Sequence, residues 1–128
     1  MANTYINLLL HVVFSTKNRE PFLKLAIRER LYPYINAIAI ENKFIVLCIG
    51  GTADHMHLLL SLPSTITLSD AMRFLKGGSS HWLRETFDEL RAFSWQEGYG
   101  AFSIGESQIE KTKDYIKNQE EHHKKISF

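Results

Sequence analysis

The segment Thr52–Leu60, which reads TADHMHLLL, constrains the fold and the chemistry of this chain more than any other. It is short and apolar, with a glycine pair before it and a proline shortly after it, which is typical of a β-strand. Because side chains alternate across a strand, His55 and His57 are predicted to share one face, while Met56 points into a core. Two imidazoles roughly 6.5–7 Å apart along a strand can converge on one metal ion.

Strands and helices alternate along the rest of the chain. We predict a strand over 5–14, a helix from about Pro21, a strand over 44–49, the histidine strand, a helix capped by Thr67 or Ser69, a strand through 92–95 and 99–104, and a last helix over 107–125. The first six elements have the order of a ferredoxin-like split βαβ sandwich, an α+β fold with helices on one face of an antiparallel sheet. Its strand order 4-1-3-2 makes the histidine strand central.

The last helix is unusually polar. Ser107-Gln108-Ile109-Glu110 fits a capping box at its start, and Ile109 and Ile116 are its only strongly apolar residues before Ile126. Such a helix docks shallowly, either on its own body or on a second subunit. It is the obvious cover for the open face of the sheet. Tyr115 and Gln119 are spaced i, i+4, so they share a helix face.

Composition bounds the class of protein. The 128 residues, 45% of them hydrophobic, predict one domain over 1–128 with an ordinary core. We expect no membrane span, because no stretch approaches the ~18–20 apolar residues that one needs. The start of the chain lacks the pattern of a signal peptide, and the single cysteine, Cys48, lies in an apolar run. A cytoplasmic location is therefore expected.

Charge gives a mixed indication. A net charge of +1 argues weakly against a nucleic-acid binder, and basic residues on helices are commonly only solvated faces. The basic and hydroxyl residues after the first strand and on the second helix could nevertheless grip a DNA backbone, with Gly77-Gly78 marking a close approach or a helix break. These candidates are Lys17, Arg19, Arg73, Lys76, Ser79 and Ser80. Four aromatic residues could stack on unpaired bases, although we favour a core position for at least two of them: Phe93, Trp95, Tyr99 and Phe102.

Two residues of the last helix suggest what chemistry the histidines could support. Two imidazoles and the amide oxygen of Gln119 would leave coordination positions open, as a catalytic metal requires. A tyrosine has a pKa of about 10, yet Tyr115 could attack a phosphodiester if a metal neutralised the developing charge. Taken singly, the histidines are better explained as residues on a polar sheet face and the tyrosine as a solvent-facing aromatic. Asp54 either orients His55 or begins the strand as a turn residue, and we favour the turn.

The motifs in this order resemble the small single-tyrosine transposases of the HUH endonuclease superfamily, which belong to minimal insertion sequences and their repeat-associated relatives. The resemblance covers nearly the whole chain. It rests on the segments HVVFSTK from His11, ADHMHLL from Ala53, LKGGSS from Leu75, FSWQEGY from Phe93, and YIKNQ from Tyr115.

The resemblance implies a ferredoxin-like fold and a role for each residue of the site. His55, His57 and Gln119 would bind Mg²⁺ or Mn²⁺, and Tyr115 would form a 5′-phosphotyrosine bond with single-stranded DNA. It also implies a substrate with a hairpin and a homodimer in which the tyrosine helix can serve the partner. Two rivals are a domesticated protein that binds DNA hairpins without cleaving them, and a phosphohydrolase in which water is the nucleophile.

Overall fold

The fold is known from a computed structural model, which describes residues 8–119. The strands are β1 (Leu8–Ser15), β2 (Ile45–Gly51), β3 (His55–Leu62) and β4 (Gly100–Ile104), and the α-helices are α1 (Leu25–Glu41), α2 (Leu68–Thr86) and α3 (Ile109–Lys117). The sheet is antiparallel with the order β2-β3-β1-β4, which confirms the predicted ferredoxin-like α+β fold. The last helix is predicted to continue to about 125, but α3 ends at Lys117 and Asn118 forms a turn. The predicted strand start at 5–7 and the single domain over the whole of 1–128 extend outside the described residues.

The main core lies between α1, α2 and one face of the sheet. Alternate residues of β1 and β3, among them Phe14, Met56 and Leu58, are buried there against both helices. Of the two predicted caps of α2, Thr67 is the correct one, because its hydroxyl accepts a hydrogen bond from the Asp70 amide at 3.0 Å. No helix among residues 8–119 is long and apolar enough to cross a membrane.

The glycine pair does not interrupt α2, which runs unbroken through both residues. A Cβ atom on Gly78 would lie 2.9 Å from the Cδ1 atom of Ile38 on α1, so this glycine permits a close approach of the two helices. Gly77 has no atom within 4 Å of its would-be Cβ. Of the two predicted outcomes, close approach is therefore correct at Gly78.

A β-bulge in β2 determines what faces the open side of the sheet. The pairing with β3 shifts between Val46 and Cys48, so that Val46 lies opposite Leu60 whereas Cys48 lies opposite Leu59. Strict alternation would have put Val46 and Cys48 on the same face. The extra residue instead turns Cys48 towards the face that carries the histidines.

Two predicted elements differ from the structure. The helix expected from Pro21 begins four residues later, because the intervening chain is extended and the Leu23 amide donates to the Ala53 carbonyl at 2.9 Å. Residues 92–95 do not form a strand. One isolated bridge pairs Trp95 with Thr16, just beyond the end of β1. The Arg84 side chain donates to the Phe93 carbonyl.

The entry to α3 also differs from the prediction. A short 3-10 turn, Glu106–Gln108, precedes the helix, and the side-chain oxygen of Gln108 accepts a hydrogen bond from the Gly105 amide at 2.9 Å. Ser107 makes no capping bond, so the predicted Ser107–Glu110 box is wrong. The helix packs on the open face of its own sheet, where Ile116 is completely buried with Cys48 and Leu59. We call these three residues the outer cluster.

Candidate active site

The two histidines of β3 lie side by side on the open face of the sheet. The ring centroids of His55 and His57 are 5.0 Å apart, and each residue is only 6% exposed. Because β3 is hydrogen-bonded to a strand on each side, the backbone that carries both rings is held in place. The structure thus places the pair on one face, as the alternation of the strand predicts.

Each of these histidines has a partner at its Nδ1 atom. His55 Nδ1 lies 2.7 Å from Asp54 Oδ1 and 2.9 Å from the hydroxyl of Thr52, while His57 Nδ1 lies 2.9 Å from His11 Nε2. With Nδ1 used in this way, Nε2 is the ring nitrogen that would bind a metal in both cases. Asp54 therefore orients His55, and our preference for a simple turn residue is wrong.

The charge state of Asp54 suits this role. Burial raises the pKa of its carboxyl group, but the hydrogen bonds from His55 and Thr52 and the charge of Arg19 outweigh that effect and lower the pKa. Asp54 is consequently a carboxylate that accepts a hydrogen bond from the imidazole of His55. The guanidinium of Arg19 lies 3.4 Å from the same carboxylate oxygen.

His11 is a site residue that the sequence did not single out. It lies on β1, where it is paired with Leu59 of β3 on one side and with Phe102 of β4 on the other. Burial lowers the pKa of its imidazole, which favours the neutral ring that can accept the proton of His57 Nδ1. The sequence does show a histidine on the first strand. Its place beside His57 could be recognised only once the pairing of that strand with β3 was known.

Tyr115 approaches the histidines from α3. Its ring centroid is 5.7 Å from that of His57 and 5.9 Å from that of His11, and the residue is 45% exposed. The next residue, Ile116, anchors the helix by packing over Gly50. A Cβ atom on Gly50 would overlap the Ile116 carbonyl oxygen, so this close approach requires glycine.

Gln119 completes the set of residues that the sequence singled out. Its side chain is almost fully buried, and its amide nitrogen donates to the Tyr115 carbonyl at 3.0 Å. This bond directs the amide so that its oxygen is the end suited to ligate a metal. Gln119, Tyr115 and both histidines line the same open cavity, which has a volume of about 1150 Å³.

Of the six predicted DNA contacts, Arg19 lines the cavity. It belongs to the 3-10 turn Lys17–Arg19, where Asn18 and Arg19 have φ values of 57° and 56°. Lys17 is an exposed neighbour in the same turn. Both residues therefore have left-handed backbone conformations, and the largely exposed Arg19 side chain lies at the wall of the cavity.

The four candidates on α2 belong to the helix layer, on the opposite side of the sheet from α3. Arg73 is exposed, and Ser80 bonds within the helix. Ser79 is completely buried and accepts a hydrogen bond from Trp95 Nε1 at 2.9 Å, so it cannot reach a phosphate and that prediction is wrong.

Lys76 joins α2 to the loop that forms one wall of the cavity. Its ammonium group donates to the carbonyl oxygens of Gln96 and Gly98, both at 2.7 Å. Partial burial lowers the pKa of Lys76, against the opposing charge of Glu97. Lys76 therefore holds the backbone that leads into Tyr99.

The donors fit a divalent cation with open coordination positions. Within residues 8–119 no three histidine, cysteine, aspartate or glutamate side chains are grouped as metal ligands. The available ligands are two imidazoles and one amide oxygen, all of them neutral donors. Three such ligands leave coordination positions open for phosphate oxygens. The buried, hydrogen-bonded orientation of all three side chains supports this use.

Known proteins resemble this chain in sequence. Residues 4–119 match the family model described as "Transposase IS200 like". The transposase for insertion sequence element IS200 of Salmonella typhimurium is 32% identical over 130 residues, which cover 97% of this chain and 84% of that protein. The ISDra2 transposase TnpA of Deinococcus radiodurans is 25% identical over 114 residues, which cover 85% and 81%.

Solved structures share the fold. A crystal structure from Deinococcus radiodurans R1, assigned to the transposases, superposes with a TM-score of 0.75 at 23% identity and covers 93% of this chain and 96% of that one. A REP-associated tyrosine transposase bound to a REP hairpin gives a TM-score of 0.71 at 20% identity, with coverage of 96% and 73%.

Proposed function

This chain belongs to the IS200-like family of transposases, and from that premise we propose that it cleaves and rejoins single-stranded DNA through a covalent bond to Tyr115. The observation that carries the proposal is the position of Tyr115, which approaches the paired histidines in one open cavity. A water-dependent phosphohydrolase would not need a tyrosine there.

The proposed cleavage exchanges one phosphate ester for another. The hydroxyl oxygen of Tyr115 attacks the phosphorus of the scissile phosphodiester and gives up its proton. A new bond joins phosphorus to the tyrosine oxygen, the bond to the 3′ oxygen breaks, and that oxygen takes up a proton to leave as a 3′-hydroxyl. Since the phosphotyrosine is itself an ester, a second 3′-hydroxyl can attack it and release Tyr115 without ATP.

His55, His57 and Gln119 are the residues that we propose hold Mg²⁺ or Mn²⁺. The imidazoles favour Mn²⁺ by ligand preference. Such an ion, when bound, supplies charge neutralisation at the scissile phosphate. The chain's own contribution is orientation, because Asp54 and His11 each fix one imidazole through its Nδ1 atom.

The proposed substrate is a single strand that carries a hairpin. A structural relative is bound to a REP hairpin, and we extend that kind of ligand to this chain. Arg19 on the cavity wall and Lys17 beside it are proposed phosphate contacts, with Arg73 and Ser80 on α2 as more distant ones. Lys76 contributes by holding the loop over 96–98.

We also expect a homodimer, on the strength of the family resemblance. In the structure α3 docks on its own sheet, so the arrangement supports a site built from a single chain. Light scattering at micromolar concentration tests the dimer. A monomer with full cleavage activity would contradict it.

The experiment that tests the function uses single-stranded oligonucleotides from both flanks of the encoding locus. Wild type and Tyr115→Phe are incubated with each strand in Mn²⁺ or in chelator and run on denaturing gels. We expect a metal-dependent protein–DNA adduct in wild type alone. An adduct in Tyr115→Phe would refute the nucleophile, and hairpin binding in chelator with no adduct would favour the non-cleaving protein.

A further inference from the structure

The exposed aromatic side chains of residues 8–119 are concentrated at one place. They are Tyr99, Phe102 and Tyr115, with exposures of 41%, 60% and 45%, and all three line the cavity of the candidate site. Phe93 and Trp95, by contrast, are buried in the main core. Tyr115 has its proposed role as nucleophile, which leaves two exposed aromatic rings beside it that the chemistry does not use.

The strand register directs Phe102 towards the reacting groups. On β4 it lies opposite His11, so its side chain is on the same face of the sheet as both His11 and His57. The centroids of the Phe102 and His11 rings are 6.3 Å apart, and His11 in turn is 5.9 Å from Tyr115. The ring also leans over Gly100, since its Cε2 atom lies 3.4 Å from the position that a Cβ atom would take there.

The wall that carries Tyr99 is held in place before any ligand arrives. Gly98, whose φ is +83°, turns the chain just before Tyr99, and the ammonium group of Lys76 binds the carbonyls on both sides of Glu97. Little conformational freedom is then lost when a ligand packs there. The largely exposed guanidinium of Arg19 places a positive charge at the wall of the same cavity, 3.4 Å from the Asp54 carboxylate.

We propose that Phe102 and Tyr99 form a stacking platform for an unpaired nucleobase next to the scissile phosphate. The proposal rests on the proposed function and adds a requirement to it. An aromatic face beside a cation fits a nucleotide, which carries a flat ring and an anion together. Within a duplex the faces of the bases are already stacked on each other, so the platform would select the single-stranded segment that flanks the cut.

The platform is tested by placing the fluorescent base 2-aminopurine at successive positions around the cut site that the adduct gels define. The Tyr115→Phe protein is used in Mn²⁺, so that the strand stays intact while it binds. We expect quenching at one flanking position, and its loss when Phe102→Leu is added. Binding should weaken by roughly 5- to 150-fold in Phe102→Leu, the range that loss of one stacked base gives.

Two further variants make this result specific. Phe102→Trp keeps an aromatic face and should restore both the quenching and the affinity. Ile45→Ala removes an equally exposed apolar side chain at the far edge of the sheet, 57% exposed on β2, and should change neither. Unchanged quenching and affinity in Phe102→Leu would overturn the platform while wild-type adduct formation kept the proposed function intact.

Two remaining outcomes would also overturn the platform. If wild type binds no single strand and forms no adduct, the proposed function fails together with the platform. If Phe102→Leu instead converts a dimer into a monomer and leaves the quenching unchanged, the occupant of this surface is a second copy of the chain.

Discussion

Replacing Gly50 by alanine should detach the helix that carries Tyr115 without unfolding the rest of the chain. The new methyl group would overlap the Ile116 carbonyl oxygen and lie 2.9 Å from the Ile116 Cγ2 atom. A backbone oxygen cannot move away by a rotamer change, so α3 itself has to shift. The main core, on the other side of the sheet, is not touched by this change.

The size of the effect follows from what α3 buries. Ile116 is completely buried in the outer cluster, and burial of such a side chain is worth roughly 1.5–3 kcal/mol. If the overlap removes that contribution, the ratio of docked to undocked helix falls by roughly 10- to 150-fold. Adduct formation should slow by up to this factor, and by the whole of it only if the undocked helix becomes the major form, because Tyr115 reaches the histidines only when α3 is docked.

Cys48 provides the assay. It is the single cysteine of the chain, it lies under α3, and its sulfur is 3.8 Å from the Lys113 carbonyl oxygen. Burial raises the pKa of its thiol, against the charges of Lys117 and Lys113, so labelling by a thiol reagent should be slow in wild type. Gly50→Ala should accelerate labelling by the factor given above, while the far-ultraviolet circular dichroism of the sheet and main helices persists.

Gly77→Ala is the matched control. Nothing lies within 4 Å of the added methyl group on α2, so the change should stabilise the protein by about 0.5–1 kcal/mol and leave Cys48 labelling unchanged. The reasoning is refuted if Gly50→Ala labels Cys48 and forms the adduct at wild-type rates.

Two other substitutions test single hydrogen bonds. Ser79→Ala should lower the free energy of unfolding by about 1–3 kcal/mol, measured in urea, because Trp95 Nε1 loses its buried acceptor. His11→Phe should weaken Mn²⁺ binding by roughly 10- to 100-fold, measured by calorimetry without DNA, because His57 loses the partner at its Nδ1 atom.

Neighbouring residues serve as controls for both. Ser80→Ala removes a hydroxyl that bonds only within α2 and should change stability by less than about 0.5 kcal/mol. His81→Phe changes an exposed histidine on the same helix and should leave Mn²⁺ affinity unaltered. Equal effects of Ser79→Ala and Ser80→Ala, or of His11→Phe and His81→Phe, would contradict the assigned bonds.

The fold was predictable because its strongest signals are periodic. The alternation around Met56 identifies the central strand and the face shared by His55 and His57 whatever the details of its neighbours. The order of strands and helices then leaves few topologies, and the ferredoxin-like one was correct.

What the sequence did not predict depends on contacts between distant segments. The bulge after Val46 is one extra residue in one strand, and no residue type announces it. Trp95 looked like a strand residue, but its indole donates to Ser79 in the core, and its segment meets the end of β1 only through one isolated bridge, which includes the bond from the Gln96 amide to the Ser15 carbonyl. The role of His11 could not be predicted without the pairing of β1 with β3, because that pairing determines which residue the His11 side chain contacts.

The two halves of the site belong to structural units of different lifetime. His55 and His57 lie on a strand whose amide groups are paired on both sides, so hydrogen exchange there should require the whole sheet to open. Tyr115 lies on a nine-residue helix attached through the outer cluster, which can exchange by local opening at a fraction of that free energy. We therefore expect the candidate site to come apart and re-form many times within the lifetime of a single folded molecule.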